Sequence, residues 1–151
     1  MDPHIPFDCA DFSPNGRFLV SGSYRARARI WCLRDGTSVV LGDNLYYAAI
    51  AVRFSPDGKY VAASGLDGMV FIWNARSRRL VRKWKAHDQE VWDVMFTPDG
   101  RGLVTGGDTK VKYWNLDQPM SDDLEEVLMF TGHTVASFEH IQSWTSSQSV
   151  L

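Results

Sequence analysis

Two cysteines in 151 residues, Cys9 and Cys32, are too few for a disulfide framework, and they do not have the spacing of a zinc site. They read as reduced core thiols of an intracellular protein. No apolar run approaches the roughly 20 residues that a helix needs to cross a bilayer. The opening residues, Met1-Asp2-Pro3-His4, lack the basic and apolar regions of a signal peptide. Formal net charge is only -2, so no overall field recruits nucleic acid or an anionic membrane surface. There is no Gly-rich phosphate loop and no zinc-binding His pair. No stretch carries a convincing helical period. Against these absences stand 44% hydrophobic and 23% charged residues, a balance that excludes disorder and fits one globular domain. Six tryptophans are many for this length, and their spacing explains them.

The chain repeats itself. Phe12-Ser13-Pro14-Asn15-Gly16 returns as Phe54-Ser55-Pro56-Asp57-Gly58 and as Phe96-Thr97-Pro98-Asp99-Gly100, each step being 42 residues. Small residues follow each copy: Ser21-Gly22, Ser64-Gly65 and Gly106-Gly107. A tryptophan then closes it: Trp31, Trp73, Trp114. The third copy is one residue shorter between its small residues and its Trp. Chance matches do not hold register over several landmarks.

Each copy reads as four short strands. In the second, 49–54 is an apolar strand that ends at the Pro56-Asp57-Gly58 turn, where Pro fixes φ and Gly accepts positive φ. A second strand follows at 60–63, a tight hairpin at Leu66-Asp67-Gly68, and a β-rich strand at 69–73. The stretch 79–84 reads as an outer strand whose charges protect an edge. Short strands with regular turns give an all-β chain, and a period of about 40–45 residues selects a propeller.

At this point the residues resemble the WD-repeat family. The third copy carries the resemblance best. It has Ala86-His87, then 91–100, then Val104-Thr105-Gly106, then Lys112-Tyr113-Trp114-Asn115. The family's Gly-His pair stands as Ala86-His87 and Gly132-His133, and its closing Trp-Asp as Trp31-Cys32, Trp73-Asn74 and Trp114-Asn115. Within the family the phrasing is most similar to the propellers of fungal Tup-type transcriptional corepressors. The resemblance implies a partial β-propeller of about three four-stranded blades in an open arc. Repeats are expected at 5–44 (degenerate), 45–86 and 87–133, the last with the start of a fourth. The 134–151 tail departs from the pattern and is expected to be disordered or loosely docked. Such a chain reads as a segment of a longer propeller, or as half of an assembly that closes through another chain.

The resemblance also implies a structural role for His87, Thr105, Asp108 and Trp114. In the family these positions form a buried hydrogen-bond chain. A hydroxyl, a His and an Asp also form the set that a nucleophile, base and orienter need, but no site accompanies them. The other copies are incomplete. Asp67 and Trp73 remain in the second, where Ala63 replaces the hydroxyl and Leu45-Tyr46 the Gly-His region. Ser21 and Trp31 remain in the first, with Arg25 in place of Asp and His4 out of register. The third blade is therefore expected to be the best ordered.

Candidate binding surfaces lie at loops and strand edges. Val91, Val94 and Phe96 do not alternate strictly, which predicts a bulge near Trp92 that turns it toward the loop end. Asp8 and Ile50 occupy the matching places in the other copies. Trp92 is either a partner anchor or a wedge between blades. Tyr46 and Tyr47 either face a ligand or fill the gap left by the missing His. The basic residues Arg25, Arg27, Arg29, Arg76, Arg78, Arg79, Arg82 and Lys83 read as solvated edges rather than phosphate contacts. Asp122, Asp123, Glu125 and Glu126 read as a solvated loop. The function expected is a non-catalytic scaffold for other proteins, such as transcription factors or complex subunits, in the nucleus or cytoplasm. The alternatives are a ubiquitin-ligase receptor, a signalling or trafficking adaptor, or a fragment without independent function. No metal, cofactor, membrane or direct nucleic-acid contact is expected. Self-association through uncovered blade faces is.

Overall fold

The computed structural model describes residues 8–23, 26–42, 48–118 and 126–131. They form twelve strands and no helix. The first sheet holds β1 (Asp8–Phe12), β2 (Phe18–Ser23), β3 (Ala26–Cys32) and β4 (Ser38–Val40). The second holds β5 (Ala51–Phe54), β6 (Tyr60–Ser64), β7 (Met69–Asn74) and β8 (Leu80–Lys85). The third holds β9 (Val91–Phe96), β10 (Gly102–Gly107), β11 (Lys110–Asn115) and β12 (Glu126–Thr131). Every sheet is an antiparallel meander whose spatial order is its chain order. The first strands β1, β5 and β9 are neighbours, so the three sheets stack from a common inner side.

The repeated turn explains the repeated strands. In each copy the hydroxyl at the first turn position donates to the Asn or Asp two residues on. These bonds are Ser13 Oγ to Asn15 Oδ1 (2.7 Å), Ser55 Oγ to Asp57 Oδ1 (2.7 Å) and Thr97 Oγ1 to Asp99 Oδ1 (2.6 Å). The same hydroxyl accepts the amide that opens the next strand, from Phe18, Tyr60 or Gly102, at 2.9 Å each time. Gly16, Gly58 and Gly100 sit at φ of 69°, 72° and 72°, the left-handed region this turn requires. The missing residue in the third copy shortens its next hairpin. Asp108 and Thr109 turn directly between β10 and β11, at φ of 51° and 61°. A two-residue turn of the I′ kind demands positive φ at both places, which a β-branched Thr adopts under strain.

Two apolar clusters join the sheets. Between the first and second lie Val20, Leu41, Val52, Phe54, Val61 and Trp73; between the second and third lie Ile72, Trp84, Val94, Phe96, Leu103 and Trp114. The middle sheet is therefore covered on both faces, and its inner strands β6 and β7 are apolar at nearly every position instead of at alternate ones. Trp84 of β8 meets Trp114 edge to face at 5.7 Å between centroids.

Some expectations change. The first strand of the second copy begins at Ala51, with Ala49 and Ile50 buried ahead of it. Cys9 and Cys32 are half-buried and not joined by a disulfide, and Cys9 packs against the cluster between the first two blades. Glu126, expected in a solvated loop, opens β12, the outer strand of the third blade. His4, Arg25, Leu45, Tyr46, Tyr47, Asp122, Asp123, Glu125, Gly132, His133 and the 134–151 tail lie outside the described residues.

Candidate functional site

Antiparallel pairing sets Leu103 of β10 opposite Trp114 of β11, which brings the Trp indole alongside Thr105 two residues further on. Trp114 Nε1–H donates to Thr105 Oγ1 at 2.9 Å. His87 Nε2 lies 2.9 Å from the same oxygen. Thr105 is fully buried, and His87 and Trp114 are nearly so. Asp108 takes a different place from the fourth link of such a chain. Its Oδ2 is 3.8 Å from His87 Nδ1, too long for a hydrogen bond. Its carboxylate instead accepts the amides of Asp88 (2.7 Å) and Gln89 (3.0 Å), fastening the loop that carries His87.

That loop is held from the second blade as well. Gly68 O accepts from Ala86 N (2.8 Å) and His87 N (3.2 Å), and Gly65 O accepts from Val91 N (3.1 Å). A Cβ on Gly68 would stand 2.0 Å from His87 O, and its φ is +79°. Only glycine fits there. His87 is thus clamped between two blades.

The same face differs in the other copies. In the first blade Trp31 Nε1–H donates to Ser21 Oγ at 2.8 Å. In the second, Ala63 has no hydroxyl to offer, and Asp67 Oδ1 accepts the Met69 amide at 3.1 Å. The residue two before each Trp stacks on its ring. Arg29 lies 5.5 Å from the Trp31 centroid, Phe71 5.5 Å from Trp73 and Lys112 5.7 Å from Trp114. Cation–π pairs thus flank a ring-on-ring pair in the blade that lacks the hydroxyl.

Among the surface candidates, Trp92 is 45% exposed. The β9–β10 register breaks beside it: Gly106 pairs with Asp93 and Gly107 with Val91, leaving Trp92 as the extra residue of a bulge. Ile50 does not share this exposure. It is 5% exposed, because β5 pairs with β6 without a break and the residue turns inward ahead of it. Asp8 opens β1. Arg29 Nη1 donates to Ser38 Oγ (2.7 Å), Arg27 Nη1 to Gly42 O (3.2 Å) and Arg82 Nη2 to Gln118 O, so these members of the basic set are engaged.

Two links between blades escaped the sequence reading. Asp11 Oδ2 accepts the Phe54 amide at 2.7 Å, and Arg53 Nη2 lies 3.2 Å from Asp93 Oδ1. Burial pushes the Asp93 carboxyl above its ordinary value, and Arg53 and the Val94 amide offset this only in part. A register between blades, unlike one within a blade, has no turn that announces it. Among the described residues no group of His, Cys, Asp and Glu converges as metal ligands would.

Comparison with known proteins places this geometry. The WD domain, G-beta repeat model matches residues 3–32, 46–74 and 78–115, more than half of the chain. The chain is 29% identical over 118 residues to transcription initiation factor TFIID subunit 5 of Caenorhabditis elegans, covering 77% of this chain and 18% of the relative. It is 30% identical over 149 residues to small ribosomal subunit protein RACK1y of Oryza sativa subsp. japonica, covering 95% and 43%. It is 29% identical over 125 residues to the LST8 homolog of Drosophila melanogaster, covering 78% and 40%. The chain therefore spans less than half the length of these relatives. Repeat, turn, stacked four-stranded sheets and family match agree: the chain belongs to the WD-repeat family.

Proposed function

We propose that the chain is a non-catalytic protein-interaction scaffold, and that the loop end carrying Trp92 is its partner-binding end. The observation that carries this reading is the bulge that leaves a tryptophan 45% exposed on an otherwise regular strand. Exposed Trp is a frequent anchor of protein interfaces. The buried cluster supports a structural role over catalysis. Thr105 Oγ1 already accepts the Trp114 indole and meets His87, so neither group has access to a substrate. The relatives' names fit membership of large assemblies, one a transcription initiation factor subunit and one a ribosomal subunit protein. A corepressor-like role in the nucleus is the finer reading. A ubiquitin-ligase receptor or a signalling or trafficking adaptor is the alternative. In each the partners are proteins, with no cofactor, membrane or direct nucleic-acid contact.

The test is capture of cellular partners by immobilised wild type, Trp92→Ala and Arg34→Ala, quantified by mass spectrometry. Trp92→Ala should lose its main partners by about tenfold or more, with Arg34→Ala unchanged. Equal capture by Trp92→Ala removes this end as the anchor.

A second reading, self-association, is favoured by one comparison. Phe12, Phe54 and Phe96 hold the same repeat position, yet they are 64%, 8% and 7% exposed. Phe54 and Phe96 each pack in a cluster against the preceding blade, and among the described residues no blade lies against Phe12. Light scattering on the 151-residue chain should then give a discrete oligomer; a stable monomer would exclude this reading.

A further inference from the structure

A groove of about 740 Å³ opens between the first and second blades, at the end where the Pro-Asn-Gly and Pro-Asp-Gly turns lie. Its floor is apolar, formed by Ile30, Val39, Phe54 and Ala75. Its rim carries three guanidiniums, Arg17 from one blade and Arg76 and Arg78 from the next. Among the described residues none of the three is ion-paired. The one carboxylate on the rim, Asp57, already accepts Ser55 Oγ and the Lys59 amide.

The repeat supplies its own control. Between the second and third blades Leu116 stands where Ala75 stands here, and it packs on the cluster with Val81. Arg82 stands where Val39 stands and reaches across to Gln118 O. Asp117 replaces Arg76 and is held by Arg101 at 2.8 Å. There Leu116 and Arg82 occupy the gap, and the residue at the Arg76 position is an acid paired with Arg101. Here smaller residues leave the gap open and unpaired cations border it. Arg78 moreover stands at φ 62°, at a turn position where the first blade has Gly36 (φ 72°). A left-handed arginine is strained, and strain of this kind clusters at ligand sites.

We infer that this groove docks an acidic peptide segment bearing one or two large apolar side chains. The apolar side chains enter over Ile30 and Ala75, and flanking carboxylates pair with the three arginines. A phosphodiester chain would satisfy the arginines but leave the floor wet, so a peptide fits better than a nucleic acid. The inference rests on the reading that the chain binds proteins, and adds a second site away from Trp92.

The test is fluorescence anisotropy on the full protein with a fluorescein-labelled peptide, Glu-Asp-Glu-Leu-Phe-Glu-Asp-Glu. The comparisons are the same peptide with Ser-Ser in place of Leu-Phe, and a labelled single-stranded uridine octamer. The protein variants are Arg76→Glu with Arg78→Glu, Ala75→Leu, and Trp92→Ala. Arg76 and Arg78 are exposed, so their replacement should leave the melt within a few degrees of wild type. The charge reversal, the filled groove and the Ser-Ser peptide should each weaken Kd about tenfold or more. Trp92→Ala should bind as wild type does. Kd within about twofold for the charge reversal, tighter binding of the uridine octamer, or no peptide binding would each overturn the inference. If Trp92-dependent capture persists while the peptide fails, only the groove is lost; if both fail, so is the scaffold reading.

Discussion

Replacing Thr105 with valine keeps the volume of the side chain and removes the one oxygen that Trp114 Nε1 and His87 Nε2 share. All three residues are buried, so water cannot substitute. Each buried group left without a partner costs about 1–3 kcal/mol. With local relaxation the loss from Thr105→Val should total roughly 3 kcal/mol. For a domain of this size that lowers the melting midpoint by about 6–12 °C. Thr105→Ser separates hydrogen bonding from packing. It keeps the oxygen and loses one methyl, and should stay within about 1.5 kcal/mol of wild type. The first blade uses this arrangement, where Ser21 accepts the Trp31 indole. Urea unfolding of the three proteins, followed by tryptophan fluorescence, gives the differences. If Thr105→Val unfolds within about 0.5 kcal/mol of wild type, the cluster does not stabilise the blade as described.

Gly68→Ala should cost about 3 kcal/mol or more in the same assay, since its Cβ would meet His87 O. Gly16→Ala, with a similar φ but nothing within 4 Å, should cost only about 1–2 kcal/mol. Phe54→Ala should cost about 3–5 kcal/mol. In the 151-residue chain Phe12→Ala, already 64% exposed, should cost under about 1 kcal/mol; similar losses for both would mean that coverage by the preceding blade is unimportant. Asp93 is the pH-sensitive member. Because its carboxyl is raised from the ordinary 3.8, the folded state favours the protonated acid. Its contribution is present at low pH and lost as pH rises through the raised value. The melting temperature of wild type minus that of Asp93→Asn should therefore fall from acid toward neutral pH. A difference that grows with pH would mean that the attraction of Arg53 outweighs burial.

Much of the fold was legible because the repeat writes its turns into the sequence. Ser13-Pro14-Asn15-Gly16 and its two later copies fix where strands end, and the alternation between turns fixes which side chains pair. The bulge at Trp92 was legible too, since Val91, Val94 and Phe96 break the period of two. The equivalence of Ile50 with Trp92 did not extend to exposure, because the strand expected at 49–54 begins two residues later, at Ala51, and Ile50 is buried ahead of it. Asp108 stands 3.8 Å from the His87 ring and its carboxylate also accepts two loop amides, an arrangement set by its short turn that the repeat pattern does not announce. The groove was hidden for a different reason. Arg76 and Arg78 read as solvated edge charges on their own blade. Their meeting with Arg17, Val39 and Ile30 depends on how two blades stack, and on what Ala75 and Val39 are too small to fill.

Trp73 and Trp114 lie in the clusters that join each blade to the one before it, so each blade is secured through its Trp-bearing face. Native-state hydrogen exchange, read amide by amide, tests this most directly. Leu19, Val20 and Ser21 of β2 are matched by position with Val61, Ala62 and Ala63 of β6 and with Leu103, Val104 and Thr105 of β10. All nine lie on inner strands of four-stranded sheets, so backbone pairing is alike. The account predicts exchange at least about tenfold slower in β6 and β10 than in β2. Equal protection in the three strands would contradict it.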